Sequence, residues 1–497
     1  MLRRSPVVLL LLVVSFVSCA GEAALPEMPA LGETVALPDD PDRQFDFWLG
    51  EWNVQNKHLR GGWKDSGRSV ARIQPVAGGN VVLEQWNGEL GGDPLIGFSL
   101  RAYDPELEKW VIWLNWHGGA PGGFNAMHGL RNGERIELFN PGTTTGTRYT
   151  FSQAHQDSCQ WDQSNSDDGK DWTTTWIMQF TRREPLLPVD ASNAPIVLPP
   201  QSASGFAKTR ALDHLIGAWN GTARRRAVDG SWEEGTARTR ITSMIEGFGL
   251  LQFLDTGWGE KTINALGWDS GVDGWVALHA SSDSRGILHM KGKLGEGGDV
   301  TFLAPEAGLR QGWSCGGPDH CTWRRESSTD GGTTWKAVLE VELTRSASEA
   351  AWIEIPKAKA PFAQVLTGGQ PSADDLTWAA RNGYRTVVNL RSPGEEGELA
   401  DEAALVARLG MTYRPIPIAG ADDLTNDSAQ LLAEALSGDD ALPAIVHCKS
   451  GNRVGALFAI KAHAVDGRPI DDAIIVGLDS GMTRLEPMIR EKLASKD

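Results

Sequence analysis

The feature that most constrains this chain is a duplication marked by tryptophan. Phe45-Asp46-Phe47-Trp48-Leu49-Gly50-Glu51-Trp52-Asn53 returns in reduced form as Leu212-Asp213-His214-Leu215-Ile216-Gly217-Ala218-Trp219-Asn220. A second landmark repeats behind it: Cys159-Gln160-Trp161, with Trp172 eleven residues after Trp161, and Cys321-Thr322-Trp323, with Trp335 twelve after Trp323. Trp52 to Cys159 is 107 positions and Trp219 to Cys321 is 102, so the two landmarks keep nearly equal spacing. That is the mark of two copies of one structural unit. Within them, short apolar runs such as Val81-Val82-Leu83 and Trp110-Val111-Ile112-Trp113-Leu114 are broken by turn signals such as Gly91-Gly92-Asp93. This pattern predicts antiparallel strands, in β-domains spanning 43–183 and 208–346. Eighteen of the 20 Trp fall between Trp48 and Trp335, so the composition is segregated along the 497 residues and several domains are expected. The net charge of −17 opposes binding to phosphate backbones, which argues against nucleic acid as a partner.

The Leu-Gly-x-Trp opening resembles bacterial calycin-like, lipocalin-type domains, and the resemblance implies an up-and-down barrel with that Trp plugging one end. Such barrels commonly enclose an apolar ligand. Trp86, Trp110, Trp113 and Trp116 are the residues that could line the cavity, although aromatics on a strand also serve as plain core. His128 and His289 fall at corresponding places in the two copies; a barrel histidine can ligate haem, and a structural histidine fits the same positions. Ser328-Thr329-Asp330-Gly331-Gly332-Thr333-Thr334-Trp335 resembles the Asp-box hairpin of sialidase propellers. It reads as occurring once, hence as a hairpin tip without catalytic role. Residues 184–207 carry five prolines and read as a linker, and 347–360 as a second one.

The N-terminus carries Arg3 and Arg4 followed by an apolar run from Val7 to Val14, which predicts a secretory signal. Phe16-Val17-Ser18-Cys19-Ala20 resembles the bacterial lipobox, which implies lipidation at Cys19 and a periplasmic or outer-membrane-anchored protein, with ordinary signal cleavage as the alternative. Residues 20–42 read as a tether.

From Pro361 the period changes. Ser372 and Asp375 form a capping box ahead of Leu376, Ala379 and Ala380; Thr386–Leu390 reads as a strand; Leu399, Ala403, Val406 and Leu409 fall at helical spacing; and Met411–Ile418 reads as a strand. Asp427 with Ser428 reads as the cap of a further helix. Ala444-Ile445-Val446 is the all-apolar run of a strand buried on both faces, giving an α/β domain over 361–497 with a mainly parallel sheet. That strand runs into His447-Cys448-Lys449-Ser450-Gly451-Asn452-Arg453-Val454-Gly455 and then a helix. A loop between a strand end and a helix N-terminus gathers unpaired amides, so residues 449–453 form an expected phosphate cradle around Cys448. The amides and Arg453 would stabilise a thiolate at Cys448, and Arg453 can take two phosphoryl oxygens in a fork.

These residues resemble the cysteine-dependent phosphatases. They are closer to the bacterial dual-specificity-phosphatase-like domains found in beta-lactamase-hydrolase-like proteins. Thr367-Gly368-Gly369-Gln370-Pro371, Val387-Val388-Asn389-Leu390-Arg391 and Met411-Thr412-Tyr413-Arg414-Pro415-Ile416-Pro417 carry the likeness with the Cys loop. It implies a phosphoric monoester hydrolase working through a cysteinyl-phosphate on a phosphorylated small molecule or protein. Asp422 or Asp423 would be the general acid, and no cofactor is implied. Two departures bear on this: four residues rather than five separate Cys448 and Arg453, and Val454 replaces the usual hydroxyl residue. The shorter loop is the length found in rhodaneses, so sulfur transfer and non-catalytic oxyanion binding stand as alternatives. Cys315 and Cys321 bracket a turn-rich segment that could close a disulfide. Cys159 is left alone, and His320 does not complete a four-ligand zinc set.

Overall fold

The computed structural model describes residues 25–26, 28, 30–91, 93–117, 122–183, 211–244, 249–347, 355–362, 365–381, 384–438 and 440–495. The signal segment, Cys19 and the linker at 184–207 lie outside the described residues. The two copies are closed antiparallel barrels of ten strands each, the first from Gly50–Leu59 to Thr173–Arg182 and the second from Gly217–Arg226 to Lys336–Ala347. In both, the first strand closes against the last, placing Trp52 opposite Arg182 and Trp219 opposite Arg345.

Those pairs form the plugs. Trp52 and Trp219 are 0% and 1% exposed, and each indole N–H donates to the carbonyl of a short helix preceding the first strand, Trp48 O at 2.8 Å and Leu215 O at 2.9 Å. Arg182 stacks on Trp52 at 4.2 Å and donates to Leu49 O and Phe47 O; Arg345 stacks on Trp219 at 4.0 Å and donates to Ile216 O and His214 O. Each indole removes about 150–250 Å² from water, roughly 4–6 kcal/mol of gross burial at about 25 cal/mol per Å².

The strand parity corrects the expected cavity lining. Trp86 and Trp116 face the first barrel's cavity, Trp110 is core beneath it, donating to Gln44 Oε1, and Trp113 faces outward. Trp113 stacks on His289 of the second barrel at 4.5 Å, so that histidine is not directed into a barrel to hold haem; His128, at its corresponding position, lies on an outward-facing parity as well. The Asp-box is likewise not single. Ser166, Asp168, Gly169 and Trp172 repeat the bonds of Ser328, Asp330, Gly332 and Trp335: a serine hydroxyl and two successive amides meet the aspartate, and the indole donates to the glycine carbonyl. The first copy is one residue shorter, which hid it. Residues 30–42 are not a free tether: Val35 donates to Ala154 O, Leu37 is buried, and Pro41–Arg43 is helical.

The C-terminal domain is a five-stranded sheet in the order Lys359–Phe362, Val365–Gly368, Ala444–His447, Thr386–Asn389, Thr412–Pro415. All its neighbours pair in parallel except the first strand. Ile355 and Ala358 are buried and the first strand begins at Lys359, so this domain includes the end of the expected linker. The central strand Ala444–His447 is buried at every residue, with separate apolar cores on its two faces. The capping box at Ser372 and Asp375 forms. The helix Asn426–Ala435 is capped by Thr425 with Ser428 rather than by Asp427, because Thr425 supplies the extended residue whose hydroxyl accepts Ser428 N–H.

Candidate active site

Cys448 follows the buried strand directly, and its sulfur accepts Gly451 N–H at 3.1 Å. Gly451 has φ +84°, a left-handed conformation that favours glycine, and this turns the chain into the helix Asn452–Ala464. The first amides of that helix have no earlier carbonyl to bond and open toward the turn. Gly455 is needed for packing, since a Cβ there would come within 2.1 Å of Met482 N. Cys448 is 1% exposed, so the sulfur sits at the base of the turn, while Lys449 is exposed at its rim and Ser450 bridges to Gly369.

Arg453 is held by a residue the sequence reading did not single out. Its Nη1 donates to Glu395 Oε2 at 2.8 Å and to Ile418 O at 2.6 Å, and its Nη2 to Glu395 Oε1 at 2.6 Å. The carboxylate takes the end-on fork of the guanidinium. The side-on fork, Nε–H with the second Nη2–H, is taken by neither of these acceptors, and the guanidinium makes a further contact with the Cys448 sulfur. The bond from Arg453 holds Glu395 below the ordinary carboxylate range, and Glu395 raises Arg453 in turn. Arg391, 3% exposed, shapes the carboxylate's loop by donating to Glu395 O, Glu396 O and Gly397 O and to Gln370 Oε1. Glu395 lies in the run Ser392-Pro393-Gly394-Glu395-Glu396-Gly397-Glu398, which looks like a solvated turn. The available signal was Arg391, a cation at a strand end four residues before it.

The two loop aspartates separate. Asp423 Oδ2 accepts the amides of Ala419 at 2.7 Å and Gly420 at 3.1 Å, so it staples the loop. Asp422 is exposed on the short helix Ala421–Asp423 and its carboxylate is not engaged in that staple. The Asn452 side-chain oxygen is turned to the following loop, where Oδ1 accepts Thr483 N–H at 2.8 Å and Leu485 N–H at 3.4 Å. Below the loop, His447 Nε2 lies 2.8 Å from Glu402 Oε1, and Asn389 donates to Glu402 Oε2 at 2.8 Å, a buried polar layer under the strand end. Elsewhere, Cys315 and Cys321 are disulfide-bonded, and Cys159 is fully buried, where desolvation pushes its thiol far above the ordinary value. Among the described residues no group of three or more His, Cys, Asp or Glu is placed to hold a metal ion.

A parallel sheet whose central strand delivers a cysteine into an amide-lined turn, with an arginine fork above the sulfur, defines a phosphatase-like domain. Residues 363–465 match the family described as "Beta-lactamase hydrolase-like protein, phosphatase-like domain". The Beta-lactamase hydrolase-like protein of Xylella fastidiosa is 36% identical over 115 residues, covering 22% of this chain and 26% of that protein. The Agrobacterium fabrum protein of the same name is 30% identical over 109 residues, covering 21% of this chain and 24% of that protein. The chain thus spans about a quarter of the length of the curated relatives it matches. A solved structure of a putative phosphatase from Neisseria meningitidis aligns with 28% of this chain and 97% of its own at 22% identity, with a TM-score of 0.25.

Proposed function

We propose that the C-terminal domain is a cysteine-dependent phosphatase of the dual-specificity type, hydrolysing a phosphoric monoester through a cysteinyl-phosphate. The observation that carries this reading is the division of Arg453: Glu395 fixes one fork of the guanidinium while the guanidinium also meets the Cys448 sulfur, which already accepts an amide hydrogen. Two phosphoryl oxygens take the fork not held by Glu395 over from the sulfur, and the phosphorus then faces the sulfur. The Cys448 thiolate attacks phosphorus; the S–P bond forms as the ester P–O bond breaks, and Asp422 protonates the leaving oxygen. Water then attacks the phosphoenzyme, gives its proton to the Asp422 carboxylate, and the S–P bond breaks to return the thiolate and release inorganic phosphate. Val454 supplies no hydroxyl for this second step, so dephosphorylation of the enzyme limits turnover.

The compartment belongs to the same reading. We take the chain to be exported and held at a bacterial membrane by lipid on Cys19, with the barrels as binding domains. A non-catalytic oxyanion-binding role is the second reading, favoured by the 1% exposure of Cys448 and by Val454.

The test uses the full chain with p-nitrophenyl phosphate. Cys448→Ser should abolish turnover, and Asp422→Ala should lower kcat by about 10²–10⁴. Equal rates in wild type and Cys448→Ser refute the enzyme; phosphate protection of Cys448 from alkylation without turnover establishes the binding module instead.

A further inference from the structure

The two barrels share a scaffold but not an interior. The first is filled mainly by aromatic and apolar side chains around a buried Glu84–Arg101 pair, leaving about 70 Å³. In the second, inward positions of neighbouring strands carry a polar ladder. Thr239 donates to Phe253 O at 2.9 Å, Gln252 Oε1 accepts Asn264 Nδ2 at 3.0 Å, and Asn264 Oδ1 accepts Gln311 Nε2 at 2.7 Å. That same oxygen lies 2.8 Å from His279 Nδ1. A carbonyl oxygen only accepts, so the ring hydrogen is on Nδ1 and Nε2 keeps a lone pair.

His279 is 7% exposed and lines a cleft of about 710 Å³ at the end of the barrel opposite the Trp219 plug. Its Nε2 has no hydrogen-bond partner among the described residues. Arg325 lines the same cleft: Nη1 donates to Glu260 at 2.7 Å, Nη2 to Thr262 at 3.3 Å, and Nε–H is buried without a partner. The cleft therefore presents one bare acceptor, His279 Nε2, with the unpartnered Arg325 Nε–H sealed beneath its wall. Burial and the Arg325 charge both lower the basicity of His279, which keeps the ring neutral.

Charge narrows the ligand. Arg325 is matched by Glu260, and Arg285 on the rim pairs with Asp42, whereas Asp104, Glu106 and Asp283 add negative charge there, which opposes an anion. At His279 itself the nearby Arg325 charge disfavours added positive charge, which opposes a cation seated on Nε2. Leu288 and Leu309 give the cleft apolar wall for C–H faces.

We propose that the second barrel binds a neutral, hydroxyl-rich molecule of the sugar or cyclitol class, with a hydroxyl donating to His279 Nε2. The test is calorimetric titration of the full chain with three probes, myo-inositol, maltotriose and tri-N-acetylchitotriose, against decanoate and inorganic phosphate. At least one neutral probe should bind saturably, weakened tenfold or more by His279→Phe and by Leu309→Arg. The second variant blocks the wall without touching the ladder and decides the matter if His279→Phe fails to fold. No binding by any of the three, uptake of decanoate or phosphate at this site instead, or binding unchanged in Leu309→Arg overturns the proposal.

Discussion

Arg453 has five N–H groups, and three are directed by Glu395 and Ile418. Glu395→Gln removes one acceptor and sets an amide N–H₂ against a guanidinium N–H, so the fork on the sulfur side loses its fixed direction. A hydrogen bond to a charged group contributes about 1.5–3 kcal/mol, so kcat/KM for an aryl phosphate should fall by about 10–150-fold. Steady-state rates compared with thermal melting separate this from simple unfolding. The pH dependence has a definite sign. Arg453 depresses the folded pKa of Glu395, so the pair is intact above the unfolded carboxylate value of about 4.3 and is lost as pH falls through the lower folded value. Stability should therefore show an acid-side loss below about pH 4.3 that Glu395→Gln lacks, measured by denaturant titration at stepped pH. The nucleophile and its arginine were legible because loop, strand and helix are contiguous in sequence. Glu395 was not, because its partner lies in a distant loop and its own neighbours are turn-forming and acidic.

At the scale of elements, the barrels were legible through tryptophan because a large, buried aromatic at a strand start tolerates little change. The arginine half of each plug was not read, although Thr181-Arg182 and Thr344-Arg345 both follow their Asp-box tryptophan at the same distance, with Arg182 and Arg345 ten residues after Trp172 and Trp335. The signal is a charged residue on a terminal strand, which by itself looks like a solvated edge. Only closure of the barrel brings it over the indole. In the second barrel Arg345 donates to Ile216 O, His214 O and Pro318 O. Arg345→Ala leaves these carbonyls without that donor and uncovers Trp219. A loss of about 1–3 kcal/mol is expected for a buried polar group left unsatisfied. Differential scanning calorimetry of the full chain should show a lowered transition with phosphatase rates, where measured below it, unchanged.

Across the whole molecule, strand patterns that looked irregular within one barrel make sense between units. Ile96, Phe98, Leu100 and Ala102 point out of the first barrel and pack with Ile263, Ala265, Val276 and Leu278 of the second, so these strands are apolar on a face that an isolated barrel would give to water. The chain also ties its first barrel to the back of the cysteine loop. Arg183, directly after the last strand of that barrel, meets Asp479 at 3.2 Å, at the end of the helix Ile470–Asp479. From Asp479 the chain continues through Gly481, where a Cβ would lie 3.3 Å from Gly451 O, to Thr483, whose amide donates to Asn452. The ion pair thus stands a few residues behind both positions that set the turn around Cys448. Breaking it should loosen that turn. A double-mutant cycle with Arg183→Met and Asp479→Leu in the full chain should give a coupling of about 0.5–3 kcal/mol, the range for residues in direct contact. Each single variant should also raise the rate of Cys448 alkylation, while the Cys448→Ser background shows no such labelling at that position. Alkylation unchanged in both single variants would mean that the barrel and the cysteine loop touch without coupling, since a turn held through Gly451 and Asn452 must open more often once its backing is released.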